Sequence, residues 1–358
     1  VQIERDPTSS TDVGELAADP RRQSSDALRL SGLAPIRDFD REVMSLSLEE
    51  AYAELRPFFD KGLKAYATPR GLAETLLGQN YKTAKETPEK PSDVQGLNLL
   101  PHVLGARRVP EGALTTVGPL STSKSTFCLG SSPECRAACL AHTGRNVYAY
   151  SMRVKRQRCE ALLARPRHFL RAIVARVEQH QTNSTKRGDE PFVRMNVLSD
   201  IPWEIFAPGL FDHFPSMRFY DYTKVPGRRP PRNYDLTFSY SGRNWEFVRH
   251  EMEAHKRRVA IVFLPKRKYR AAEIREQPMI GLPTRFQGRP VVEGDFSDVR
   301  PRDPHGVFVG LRWKIPKGAD RREMKNSAFV VPVQEKDGYL IAGLAAKDQP
   351  IEDADVGT

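Results

Sequence analysis

Cysteine is scarce in this chain and confined to one stretch of it. Four occur in 358 residues, all between Cys128 and Cys159. So few cannot staple a chain this long, which excludes a disulfide scaffold. No apolar run approaches the roughly 20 residues of a membrane-spanning helix. The opening VQIERDPTSSTDVGELAADPRRQSSD lacks the apolar stretch of a secretory signal, so a cytoplasmic location without membrane attachment is expected. No internal repeat is visible. GxxxxGK[ST] and GxGxxG are both missing, as are helix-turn-helix, zinc-finger and RRM signatures, so none of these nucleotide- or nucleic-acid-binding modules is indicated.

What is present describes a globular protein. Hydrophobic residues make up 39% and charged residues 28%, enough for a packed core. Lys and Arg number 56 against 45 Asp and Glu, a formal net charge of +11. Such a surplus favours a polyanionic partner, nucleic acid first.

Along the chain, residues 1–40 are polar and charged and are expected to form a disordered or loosely docked arm. Residues 41–110 read as a helical module and linker. SLSLEEAYAELRPFFDKGLKA suggests a helix capped by Ser47, with Glu50 completing a capping box and Pro57 dividing it. A second helix is expected over 69–78, and QNYKTAKETPEKPSDVQG reads as a polar linker. Across 111–335 short apolar runs alternate with helical stretches. Candidate strands are Ala113–Val117, Phe192–Leu198, Met217–Tyr222, Tyr234–Ser239, Val259–Leu264, Pro290–Glu293, Val307–Leu311 and Ala328–Val333. Helices are expected over 146–180 with a break at Pro166, over 203–213 and over 244–257. This alternation predicts an α/β fold with a mostly parallel sheet. The later connections are short, which favours an irregular or partial (β/α) barrel over an open doubly wound sheet. Residues 336–358 read as a C-terminal tail.

Three cysteines share the loop FCLGSSPECRAACLAHTGRN, with the spacing C-x6-C-x3-C. A helical turn would place Cys135 and Cys139 on one face, and the flexible Gly-Ser-Ser-Pro lead would let Cys128 fold back over them. Converging thiolates suit zinc or an iron–sulfur cluster. Redox-active thiols and small core residues are the other readings. Cys159 recurs with Tyr148, Met152, Leu162 and Leu163 at helical spacing and reads as core. His142 is a second candidate for a fourth ligand.

In α/β folds, sites form where strands end. The cysteine loop is expected after the first strand and Ser199, Asp200 and Glu204 after the second. Lys224 follows the third, Asp295, Asp298 and Arg300 the sixth, and Lys314 the seventh. Asp200, Asp295 and Asp298 are the candidate catalytic carboxylates, as ligands, general bases or acceptors for an amine or ribose. Ser199, Glu204 and Arg300 are candidate cofactor contacts. Three stretches are basic: 153–158, 227–232 and 255–270. Arg228, Arg229, Arg232, Lys266, Arg267 and Lys268 are the candidate phosphate contacts, with tyrosines nearby for base stacking.

CLGSSPECRAACLAHTGR, FVRMNVLSDIPWE, FYDYTK and EGDFSDVRPRDPHGVFVGLRWK together resemble the gene product eighty-eight family over roughly residues 114–333. The family comprises uncharacterised proteins of bacteriophages and plasmids, so the resemblance implies a mobile-element origin and a bacterial host. A second likeness, of position only, is to radical S-adenosylmethionine enzymes. These place three cysteines in the loop after the first strand of a partial barrel, holding a [4Fe–4S] cluster open to the cofactor. Their spacing is C-x3-C-x2-C, however. The aromatic usual before their last cysteine is Ala138 here, and their Gly-Gly-Glu-like element would be Leu198-Ser199-Asp200. The expectation is an enzyme with a cysteine-bound metal or iron–sulfur centre, S-adenosylmethionine as a conceivable cofactor, acting on nucleic acid or nucleotides. A non-catalytic nucleic-acid-binding protein with a structural zinc is the alternative.

Overall fold

The computed structural model describes residues 20–59, 67–78, 92–101, 127–128, 130–315, 327–336 and 339–342. The candidate strand Ala113–Val117 lies outside them.

The chain starts with helices. α1 (Pro20–Ser31) buries Ala27 and Leu28, and the segment after it buries Leu33, Ile36 and Phe39. From α1 onward the expected loose arm is therefore part of the core, because its few apolar residues are spaced to face inward. α2 (Leu48–Leu55) is capped as read: the Glu50 amide donates to Ser47 Oγ at 3.0 Å. Pro57 sits in the 3-10 turn Arg56–Phe58 that ends this helix. α3 (Pro69–Leu76) leads into β1 (Leu77–Gly78), which pairs antiparallel with β2 (Ser92–Leu97).

β2 lies where a polar linker was expected. It pairs in parallel with β3 (Glu190–Arg194) and is buried along its length. Its polar side chains find partners on a helix: Asp93 accepts from Ser184 Oγ and Arg187, and Gln95 accepts from Arg176. Those bonds offset the cost of burying polar groups. The sheet thus extends beyond the expected start of the domain at residue 111.

After the short α4 (Pro133–Ala137) come α5 (Ala149–Ala164) and α6 (Pro166–Arg187), broken at Pro166 as expected. Gly188 (φ 76°) ends α6 in the left-handed conformation that glycine adopts without steric cost. The expected helix 203–213 is two short ones, α7 (Trp203–Phe206) and α8 (Gly209–His213), parted at Pro208. β4 (Arg218–Thr223), β5 (Tyr234–Ser239), α9 (Trp245–Glu253), β6 (Val259–Leu264) and α10 (Ala271–Glu276) follow. The remaining strands are β7 (Arg285–Phe286), β8 (Arg289–Glu293), β9 (Phe308–Arg312), β10 (Val330–Lys336) and β11 (Tyr339–Ala342). β11 occupies part of the expected C-terminal tail.

Among the described residues this is one 11-stranded sheet, ordered β1-β2-β3-β4-β5-β6-β9-β8-β7, with β10 joined to β6 and β11 to β10. Every pairing is parallel except β1–β2, β7–β8 and β10–β11. The strand path is open at both ends. The α/β, mostly parallel architecture matches the sequence reading.

Strand periodicity sorts the two faces. On β6, Val259, Ile261 and Phe263 pack with Val248 and Met252 of α9, while Ala260 and Val262 face a cavity on the other side. On β3, Val193 joins the large core shared with α6, while Phe192 packs with Val94, Tyr220 and Val299 on the opposite face. β6 also forks the sheet. β9 runs along one of its edges, whereas the other pairs with β5 at Val259–Ala260 and with β10 at Val262–Leu264. The strands part there, and the cavity opens in the fork.

Candidate three-cysteine site at the sheet rim

Because the long strands are parallel, β3 to β6, β8 and β9 all end at one edge. The segments after them surround a cavity of about 170 Å³. Cys128, Cys135 and Cys139 form one wall, Ser199 and Asp200 another, and Asp295 and Asp298 a third. The topology therefore gathers the three segments that the sequence placed at one rim.

Ser132 builds the thiol wall locally. Its Oγ accepts the Cys135 amide at 3.0 Å, capping α4, and donates to the Ser241 carbonyl at 2.5 Å. Ser131 folds the chain back through its amide and hydroxyl, both donating to the Cys128 carbonyl. Glu134 pairs with Arg243, fixing α4 to the loop after β5. Cys139 lies two residues past the end of α4, so the single helical face expected for Cys135 and Cys139 does not form. It starts a 3-10 turn instead, with Sγ accepting the Ala141 amide at 3.5 Å.

Among the described residues no disulfide joins the four cysteines. Burial pushes the Cys128 thiol up to about 12, with Asp200 and the neighbouring thiols adding to the effect and Lys224 opposing it. Burial also raises Cys135. Lys224 lies among them. Burial alone would lower its pKa, but its interactions with the Cys135 and Cys128 groups and with Asp200 outweigh that and raise it. Among the described residues, no three His, Cys, Asp or Glu side chains form a ready cage for a metal ion. Neither candidate fourth ligand lines the cavity. Cys159 is buried in the core of α5, where its Sγ accepts the Leu100 amide at 3.3 Å, and His142 is exposed.

The rim carboxylates are anchored. Asp200 accepts from the Lys224 amide at 2.7 Å and from Arg228 Nη1 at 3.1 Å. Asp295 accepts from the Arg312 amide at 2.8 Å and from its Nη1 at 3.2 Å, with Lys314 Nζ at 3.4 Å. Asp298 accepts from Arg194 Nη1 at 2.8 Å and Tyr220 Oη at 3.2 Å. Ser199 donates to Asn196 Oδ1 at 2.9 Å. Overall, five cationic side chains line the cavity against three carboxylates, which favours an anionic occupant.

Two candidate cofactor contacts are turned away from the cavity. Glu204 forms a fork with Arg228, at 2.8 Å and 2.6 Å. Arg300 is fully buried against Asp303 at 2.9 Å and the Ser297 carbonyl. Arg228 is also misassigned as a phosphate contact. It is fully buried, between Asp200, Glu204 and Tyr234, where no phosphate reaches it. Lys266 and Arg267 are exposed but paired with Glu335 and Glu273, each at 2.6 Å, while Arg229, Arg232 and Lys268 are exposed.

Arg194, Asn196, Arg312 and Trp313 line the cavity without having been singled out, and so does Tyr222, which the sequence suggested only as a base-stacking residue beside the basic segments. For Arg194, Asn196 and Arg312 the sequence signal was a charge or amide inside or at the end of a candidate strand, as in FVRMNV. Arg194 lies 4.8 Å from the Tyr222 ring centroid, and its Nε finds no hydrogen-bond acceptor among the described residues. The buried indole nitrogen of Trp313, which also lines the cavity, has none among them either. Behind the wall, Asp221 accepts from Tyr234 Oη and the Asn196 amide, each at 2.7 Å. Burial pushes its carboxyl up to about 7.

Residues 75–330 match the family model described as gene product 88. That is most of the chain, and the chain belongs to this family. The match reaches back to α3 and includes β2, earlier than the sequence resemblance began. No curated protein and no solved structure matches, and the likeness to radical S-adenosylmethionine enzymes gains no support from them.

Proposed function

We propose that this gene product 88 family member is an enzyme whose Cys128, Cys135 and Cys139 bind a metal ion or iron–sulfur cluster in the rim cavity. The observation that carries this is the donor set: three cysteine side chains share one cavity, and both other candidate ligands lie outside it. Three protein ligands leave a coordination position for a substrate or cofactor, the arrangement of catalytic rather than structural sites. The raised thiol pKa values are no obstacle, since binding a soft metal displaces the protons. The Lys224 ammonium, which lies among these cysteines, would offset the negative charge of a thiolate-bound centre. Arg194, Arg312 and Lys314 suit an anionic substrate. Asp200, Asp295 and Asp298 hold those cations and the loop in place. Nucleotides and nucleic acid are the substrate class we favour, with S-adenosylmethionine one cofactor that the open position would admit.

Anaerobic purification, with metal and sulfide analysis and an absorption spectrum, tests this. The parent and Cys159→Ser should carry equal metal, while Cys128→Ser, Cys135→Ser and Cys139→Ser each lose most of it. Metal-free parent protein after reconstitution with iron, sulfide or zinc would refute the proposal. Dependence on Cys159 or His142 would favour a closed structural zinc.

A further inference from the structure

The stretch from Cys135 to Cys159 contains no acidic residue and six basic ones. In the fold it forms the later part of the cysteine loop, the turns after it and most of α5. Arg136, Arg145, Arg153 and Arg156 are exposed. So are Val147, Tyr148 (62%) and Tyr150 (54%), three of the five large apolar side chains left exposed among the described residues. Tyr148 and Tyr150 are two residues apart and present apolar surface to solvent, as sites of association do.

This surface is tied to the cavity. Asn146 donates to the carbonyl of Leu140, a cavity-lining residue, at 3.0 Å. Its Oδ1 accepts from Lys155 Nζ of α5 at 2.7 Å, and Lys155 Nζ also reaches Ser151 Oγ at 3.0 Å. Lys155 is itself buried, so it acts as a staple and leaves the arginines to face outward. Arg153 lies over the Tyr150 ring at 5.6 Å.

We propose that Tyr148, Tyr150 and the arginines around them bind single-stranded nucleic acid and lead it to the cavity mouth. Charge complementarity identifies the occupant as a polyanion, and the exposed tyrosines distinguish a nucleic acid from other polyanions. Bases stack on aromatic faces with little regard to sequence, while arginines follow the phosphates. The inference does not depend on a metal in the cavity.

Fluorescence anisotropy on the full chain tests it, using labelled single-stranded DNA and RNA 20-mers at several salt concentrations. Y148A/Y150A should weaken binding about fivefold or more for each base unstacked, with an unchanged salt slope. Y148F/Y150F should bind like the parent. R145Q/R153Q/R156Q should flatten the log–log salt slope by about 0.7 per arginine. Circular dichroism and metal content should be the same in all variants, which separates failure here from failure of the cavity reading. Parent protein that ignores both oligonucleotides at low salt would overturn the proposal. So would parental affinity in Y148A/Y150A, or tighter binding to phosphatidylserine vesicles than to either oligonucleotide.

Discussion

Asp221 and Arg228 are both cut off from water behind the cavity wall and are joined through the hydroxyl of Tyr234. Their charges are set by each other's surroundings rather than by solvent. The folded pKa of Asp221, about 7, lies above its ordinary 3.8, so the folded chain holds this proton more tightly than the unfolded one. Its contribution to stability is fully present below about pH 4 and is lost as pH rises through about 7. Asp221→Asn should flatten the fall in melting temperature between pH 5 and 8, read by calorimetry. Arg228 poses the opposite case. Arg228→Met strands two buried carboxylates, Asp200 and Glu204, and should cost ~3–5 kcal/mol in a urea titration. The sequence showed both residues as charges near strands but not their burial. GRRPPR looks like a basic surface, and only the distant partners Asp200 and Glu204 turn its first arginine inward.

At the scale of elements, the cysteine loop depends on close docking. A Cβ at Gly130 would lie 2.6 Å from both the Cβ and the carbonyl oxygen of Lys224. Gly130→Ala should therefore lift the loop from the rim. The expected result is faster reaction of Cys128 with a thiol reagent and loss of bound metal, with circular dichroism unchanged. Strands such as VAIVFL were legible because both their faces are apolar, as burial in a parallel sheet requires. β2 was not legible. SDVQGL reads as the end of a polar linker until Arg176, Ser184 and Arg187 of α6 come to lie against it, and contacts that far apart in sequence leave no local pattern. Cys135 and Cys139 were four residues apart as a helix would have them, yet α4 ends at Ala137 and separates them.

Across the whole molecule, one apolar cluster runs from Leu28 to Leu236 and joins the N-terminal helices to α6 and the sheet. The helical module is thus part of the same core. A chain beginning at residue 60 loses Leu28, Ile36, Val43 and Leu55 from that cluster and should bind a hydrophobic dye or precipitate. The convergence of Asp200 and Asp295 could be read from topology, since parallel strands end together, whereas the strand expected before the cysteine loop lies outside the described residues. The fork at β6 that opens the cavity could not, because it depends on β5 and β10 sharing one edge. The central claim is a centre held by three thiols with one position left open. X-ray absorption at the edge of the bound metal, with and without added imidazole or cyanide, examines that position directly. The account predicts a spectrum that changes when the small ligand is added and that requires Cys128, Cys135 and Cys139. An unchanged spectrum from a centre with four protein ligands would contradict it.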